Sequence, residues 1–271
     1  MDAADIMFKM AETYANCNTY QDRGLVRHFE QEDREDYRHR IGFKTNFKRP
    51  DAFYFEWAET PLGAPEVAQH RISALWTSLP EGSNKSTQGP SPAVRQAFRQ
   101  FHSQSEAQIC PSLDYIIAAA AGVSKGSSVT VAAYILPTLR QKMRTLFRLR
   151  ELNLVCQELI DGCSCHYLKG QNWGGTGEEF WIDTETFLLK RTRVAFVIKP
   201  GVDENQLAAI KKIDPEQAEE YRKFREAQTE ERRFWNQLDY HAASVDEDIE
   251  DQAFIYDPSA KSDLISTFAV L

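Results

Sequence analysis

Apolar positions near the start of the chain fall at helical spacing. Ile6, Met10, Tyr14 and Cys17 share one side of an amphipathic helix predicted over Ala3 to Cys17. From Gly24 onward, after a polar turn, the pattern changes to a period of two, which marks strands with alternate side chains on opposite faces. Leu25 to Glu32 and Tyr37 to Phe47 are predicted as long strands joined by the charged turn around Asp33-Arg34-Glu35. Phe53 to Trp57 and Arg71 to Leu79 continue the meander, and Glu81 to Pro92, rich in Gly, Ser, Asn and Pro, reads as a loop. Helices are predicted over Ala93 to Ser105, Ser112 to Ala121, and Val131 to about Leu146 with an interruption at Pro137. Strands resume at Thr145 to Ile160, Cys163 to Gly170, Glu178 to Asp183 and Phe187 to Lys199. Asp161-Gly162 and Asn172 to Gly177 are hairpin turn signals. A highly charged helix, Pro215 to Glu231, with only a thin Tyr221/Phe224 stripe precedes the last strands, Arg233 to Val245 and Asp251 to Tyr256.

Strands on either side of one helical block, with no fixed-period repeat and no linker between two cores, predict an α+β fold. It consists of an antiparallel sheet with helices on one side.

Lys48-Arg49-Pro50-Asp51-Ala52-Phe53-Tyr54-Phe55-Glu56-Trp57 holds the strongest local signal. Proline fixes its own φ and lacks an N–H, so it suits a strand start or a sheet edge. The alternation after it puts Phe53, Phe55 and Trp57 on one face of a strand. Taken alone, such a face is core. Two further runs, Gly162-x-x-Cys165-His166-Tyr167-Leu168 with Phe180-Trp181-Ile182-Asp183-x-x-Thr186, and Phe254-Ile255-Tyr256-Asp257-Pro258, stand in the order seen in one known group. Together with the Lys-Arg-Pro-x-x-Phe pattern they resemble the LolA/LolB/RseB superfamily of lipoprotein carriers and envelope regulators.

That resemblance implies a strongly curved antiparallel half-barrel whose concave face is covered by helices. It implies a single domain over residues 1–271, with extra length around 81–144 and 202–232. It also implies a non-enzymatic protein whose concavity binds a lipid, lipoprotein acyl chains or another apolar ligand, lined by Phe53, Phe55, Trp57 and Trp181. Arg49 matches the arginine that ties sheet to covering helices in that group; its five donors suit a clamp on helix-end carbonyls. The alternative role carried by the same resemblance is a sensor or interaction module with an envelope protein partner.

Charge and composition narrow these expectations. With 40 acidic and 32 basic side chains the formal charge is −8, which argues against a nucleic-acid binder. No apolar run reaches the ~18 residues that read as a membrane span. Met1-Asp2-Ala3-Ala4-Asp5 has neither a basic nor an apolar leader region. Either the protein is cytosolic, or it is an exported, periplasmic protein with its signal peptide removed; a helix at the very start resembles the mature members of the group and favours export. Of the 5 cysteines, Cys156, Cys163 and Cys165 flank the Asp161-Gly162 turn. A two-residue hairpin there sets Ile160 opposite Cys163, Glu158 opposite Cys165 and Cys156 opposite Tyr167, so no two sulfurs are in bridging position. Cys17 and Cys110 remain as candidates for a disulfide.

Several short motifs match chemistry by letter only. Gly122-Val123-Ser124-Lys125-Gly126 has the spacing of a nucleophile elbow but follows a helical run, where a helix-ending glycine explains Gly122. Cys163-Ser164-Cys165-His166 places neighbours on opposite strand faces, so they do not converge on one metal ion. Gly174, Gly175 and Gly177 lack the following helix of a phosphate loop, and nothing in the chain calls for a cofactor. The acidic run Asp246 to Asp251 lacks calcium-loop spacing and reads as a solvated turn.

Overall fold

The computed structural model describes residues 1–30, 34–35, 40–50, 52–60, 68–77, 94–101, 104–109, 113–122, 124–142, 149–171, 176–213, 215–254 and 264. The chain opens with α1 (Ala3–Asn16), started by a reciprocal cap. The Asp5 N–H donates to the Asp2 carboxylate at 2.8 Å and the Asp2 N–H to the Asp5 carboxylate at 3.2 Å. Strands β1 (Thr19–Glu30), β2 (Arg34–Glu35), β3 (Arg40–Lys48), β4 (Ala52–Thr60), β5 (Ala68–Thr77), β6 (Val94–Phe101) and β7 (Gln104–Ile109) follow. The helical block holds α2 (Leu113–Ala121), α3 (Ser127–Thr130), α4 (Ala132–Ile135) and α5 (Pro137–Lys142). After it come β8 (Arg150–Ile160), β9 (Cys163–Gln171), β10 (Gly177–Asp183) and β11 (Leu189–Ile198). Helices α6 (Glu204–Ile213) and α7 (Pro215–Glu226), strand β12 (Arg232–Val245) and a 3-10 turn at Asp251–Phe254 complete the order.

All described strand pairings are antiparallel. They build one sheet in the order β7-β6-β5-β4-β3-β1-β12-β11-β10-β9-β8, with β2 paired to β1. Two sequential meanders are therefore joined at a central β1–β12 seam. The sheet is curved and does not close into a barrel, and helices pack on one face: the fold is α+β, as expected.

Alternation divides the sheet cleanly. Tyr20 and Val26 on β1, Phe43 and Phe47 on β3, Phe53, Phe55 and Trp57 on β4, and Leu238 and Tyr240 on β12 point to the helix-covered face. There they meet Ile6, Met10 and Tyr14 of α1 and the apolar residues of α2 to α5. The opposite face carries a smaller cluster of Ile160, Cys165, Tyr167 and Trp181. Beside it, Asp239 is bridged by Arg27 at 2.6 Å and by Arg191.

Three sequence expectations are corrected. Gly24 does not open the β region; β1 begins at Thr19, and Gly24 lies within it because the Phe43 ring packs on its bare Cα. Within the predicted helix Ala93 to Ser105, residues 94–101 and 104–105 are strand: β6 pairs with β5 and with β7, so sheet pairing overrides the helix-favouring Ala, Arg and Gln content. Residues 251–254 form a 3-10 turn and not a strand. Gly122 directly follows the end of α2, as expected, and the left-handed residues of the following turn are Lys125 and Gly126. Helix α6 stands where the sequence pattern predicts no element. The 81–92 loop, the end of the predicted helix beyond Lys142 and the 255–258 motif lie outside the described residues.

The hairpin register is as expected: Ile160↔Cys163, Glu158↔Cys165 and Cys156↔Tyr167. Cys17, Cys156, Cys163 and Cys165 are all free thiols; Cys110 lies outside the described residues.

Candidate functional site

Arg49 is the best-defined polar device in the molecule. Helix α1 has no basic residue in its last turn, and its final carbonyls need donors from elsewhere. Arg49 supplies them. Its Nε donates to the Cys17 carbonyl at 2.6 Å, and one terminal nitrogen donates to Ala15 at 2.5 Å and more distantly to Tyr14 at 3.4 Å. The same nitrogen reaches the carbonyl of Ile135, the last residue of α4, at 3.3 Å. The guanidinium also lies 5.4 Å from the Phe47 ring centroid, and the Arg49 N–H donates to Asn18 at 2.8 Å. One side chain thus holds two covering helices to the rim of β3. The peptide bond from Arg49 to Pro50 is cis.

Phe53, Phe55 and Trp57 line up beneath these helices, as the alternation predicts, each only 1% exposed. Phe55 stacks on Trp57 at 5.5 Å and on Phe43 at 6.4 Å, and Phe43 meets Tyr240 edge-on at 5.5 Å. Tyr14 of α1 descends into the same layer, edge-on to Tyr20 at 5.5 Å and stacked on Tyr134 at 6.1 Å. Its hydroxyl accepts from the Leu189 N–H at 2.9 Å.

Trp181 does not join them. Its neighbours Phe180 and Ile182 take the core side of β10, so the pleat turns Trp181 to the other face. There it stacks on Tyr167 at 4.6 Å and donates its indole N–H to Glu158 at 2.7 Å. The expected lining is corrected accordingly.

Asp22 is a polar group that the sequence did not flag. It is buried at the β1–β3–β12 junction beside a register shift between Gln21 and Arg23. Its carboxylate accepts from the Tyr20 hydroxyl and from the Thr45 N–H at 3.0 Å. Burial pushes its pKa up to about 6 against the lowering effect of those donors.

A cavity of about 490 Å³ opens at the other end of β1. Nine residues separate Thr19 from His28, which at strand rise is roughly 30 Å. His28, Phe234 and Asn236 line it from the sheet, with Phe196 and Val197 from β11, Thr176 from just before β10 and Lys125 from the loop between α2 and α3. Phe196 and Phe234 are direct cross-strand partners, in phase with Thr192 and Leu238 of the core face. His28 stacks on Phe234 at 5.3 Å, and its Nδ1 lies 2.7 Å from the Asn236 side-chain oxygen. The core face therefore runs on past its helical cover into an open, largely apolar mouth. Continuing the β12 alternation two steps back from Leu238 identifies Asn236 and Phe234, and one step on from Val26 in β1 identifies His28; Lys125 left no such signal.

Among the described residues no three or more His, Cys, Asp or Glu side chains gather as a metal site, and no helix is long and apolar enough to cross a membrane. Ser124, central to the elbow-like motif, is wholly buried and spends its groups inside its own loop, so it faces no substrate.

No protein-family model matches the chain, and no curated protein matches it. Similar solved structures include lipoprotein LppX of Mycobacterium tuberculosis, at 10% identity and TM-score 0.41 over 92% of this chain and 98% of that one. The Pseudomonas aeruginosa MucA/MucB complex aligns at 10% identity and TM-score 0.36, over 94% of this chain and 61% of that one. A LolA superfamily protein of Nitrosomonas europaea aligns at 11% identity and TM-score 0.27, over 94% and 98%. Likenesses at this level carry no weight on function, and the fold rests on the strand order.

Proposed function

We propose that this chain is a non-enzymatic, exported envelope protein that holds an apolar ligand, a lipid or lipoprotein acyl chains, on the concave face of its sheet. In this reading residues 1–271 act as one unit. The carrying observation is the cavity between Phe196, Phe234, His28 and Lys125, which continues the core face at the end remote from Arg49. Concave, mostly apolar sites with a few placed polar groups are where such ligands bind. Arg49 fastens the cover at the closed end; the ligand enters at the open one, and release of the clamp would extend the space beneath α1 and α4.

The test is mass spectrometry of an organic extract of the purified protein, with titration of a neutral fluorescent acyl probe. Lipid in the extract and saturable probe binding weakened by Phe234→Ala are expected. A lipid-free extract with no probe binding would favour a second reading, an interaction module for an envelope protein. Two observations give that reading its own support: the tight filling around Phe53, Phe55 and Trp57, and the exposed Leu154, Val155 and Leu159 along the edge strand β8.

A further inference from the structure

The loop after α2 presents a lysine in an unusual way. The Gly126 N–H donates to the Ala121 carbonyl at 2.7 Å and the Lys125 N–H to Gly122 at 3.3 Å, the paired bonds of a Schellman helix end. Lys125 is therefore the left-handed residue of the cap, with φ 52°. Glycine normally fills that position, because a Cβ there costs about 1–2 kcal/mol. The loop is fixed further from behind. The Ser127 hydroxyl donates to the Ser124 carbonyl at 2.8 Å, the Ser128 N–H to the Ser124 hydroxyl at 3.3 Å, and the Ser128 hydroxyl to Ile117 at 3.0 Å. A rigid, serine-buttressed turn thus holds a strained lysine at the rim of the open cavity.

The charge around that cavity runs against the rest of the protein. The chain carries 40 acidic side chains and a formal charge of −8, yet among the described residues no carboxylate lines this space. Its polar lining is His28, Lys125, Thr176 and Asn236, set around Phe196, Val197 and Phe234.

We propose that the cavity is selective for amphiphiles with an anionic head group, a carboxylate or a phosphate. Lys125 meets the head at the rim while Phe196 and Phe234 hold the first methylenes of the chain. The proposal rests on the apolar-ligand reading above and specifies its ligand class. The Asn236 amide is a hydrogen-bond donor at the lining, and the aromatic pair supplies apolar area to the chain.

The test is displacement of a neutral fluorescent acyl probe by dodecanoate, dodecyl phosphate, dodecanol and inorganic phosphate. The wild type should bind the two anionic amphiphiles about fivefold more tightly than dodecanol, the scale of one partly exposed ion pair. The preference should shrink as salt rises. Inorganic phosphate should not displace the probe, which separates a lipid head from a free anion; the order of dodecanoate and dodecyl phosphate identifies the head. The deciding variant is Lys125→Gly. Glycine relieves the left-handed backbone, so the variant should fold at least as stably as the wild type. Its ratio of anionic to neutral affinity should nevertheless fall to about one. A residue with only a structural role would not move that ratio. Equal wild-type affinity for dodecanoate and dodecanol, or a ratio unchanged in Lys125→Gly, overturns the head-group proposal and leaves the apolar-ligand reading standing. Failure of every amphiphile to displace the probe overturns the proposal, and failure of the probe itself to bind overturns both.

Discussion

At the scale of single residues, two polar groups carry disproportionate weight. Arg49 satisfies carbonyls at the ends of α1 and α4 that have no donors of their own. Arg49→Leu would keep an apolar stem but remove every donor and the guanidinium's contact with the Phe47 ring. Charge-assisted hydrogen bonds of this kind are worth roughly 1.5–3 kcal/mol, so chemical denaturation should register a loss of that size. In the carrier reading the loosened cover should also raise acyl-probe affinity; unchanged binding and unchanged stability would reduce Arg49 to a solvated edge residue. Asp22 acts in the opposite sense. Its folded pKa near 6 lies above the value of 3.8 for a free aspartate, so the native state binds the proton more tightly than the unfolded chain. Its unfavourable contribution is absent below about pH 4, grows as pH rises through the folded pKa, and is complete above it. At 1.36 kcal/mol per tenfold change in proton affinity, the cost is of order 3 kcal/mol at neutral pH. Asp22→Asn should therefore gain stability relative to the wild type between pH 4 and pH 7. A flat difference across that range would show that the carboxyl titrates normally.

Elements show what a sequence can and cannot announce. Helix α1 was legible because Ile6, Met10, Tyr14 and Cys17 mark one stripe, and the β8–β9 register was legible because a two-residue Asp161-Gly162 turn leaves only one pairing. The β4 face was equally plain. Trp181 was misassigned since its type suggested a pocket, whereas only the parity of Phe180 and Ile182 decides its side. Residues 94–101 were misread because their residues favour helix locally, and the pairing with β5 that overrides them is not a local property. Gly24 looked like punctuation. A Cβ there would come within 2.1 Å of the Phe43 ring and 2.4 Å of the Asp239 carbonyl oxygen. The ring could turn away, but the backbone could not without disturbing the seam. Gly24→Ala should cost at least the ~1–3 kcal/mol of an overpacked core, read as a lowered denaturation midpoint. In the hairpin, exposed Cys156 should alkylate before Cys17 and Cys165, whose thiols burial pushes up to about 11. Peptide mapping of briefly labelled native protein checks this, and early modification of Cys165 would contradict the register.

For the whole molecule, the sheet order has a consequence in time as well as space. Each meander, β3 to β7 and β8 to β11, joins neighbours in sequence and can zip as it leaves the ribosome. The join between them cannot. Strand β1 pairs with β12, so that Tyr20 waits for Val245 and Phe29 for Trp235. Until β12 has been synthesised, β1 offers an unsatisfied edge in the middle of the eventual sheet. Contacts this distant in sequence slow folding, and an open edge invites pairing with another chain. Assembly should therefore be limited by closure of the seam. After a jump from denaturant, amides of β8 and β9 should gain hydrogen-exchange protection well before those of β1 and β12; simultaneous protection would mean that the two arms are not independent. A nascent chain of this design carries its first half-sheet alone until residue 198, and then both half-sheets until β12 supplies their common spine; keeping them apart from other chains is a task left to whatever accompanies it.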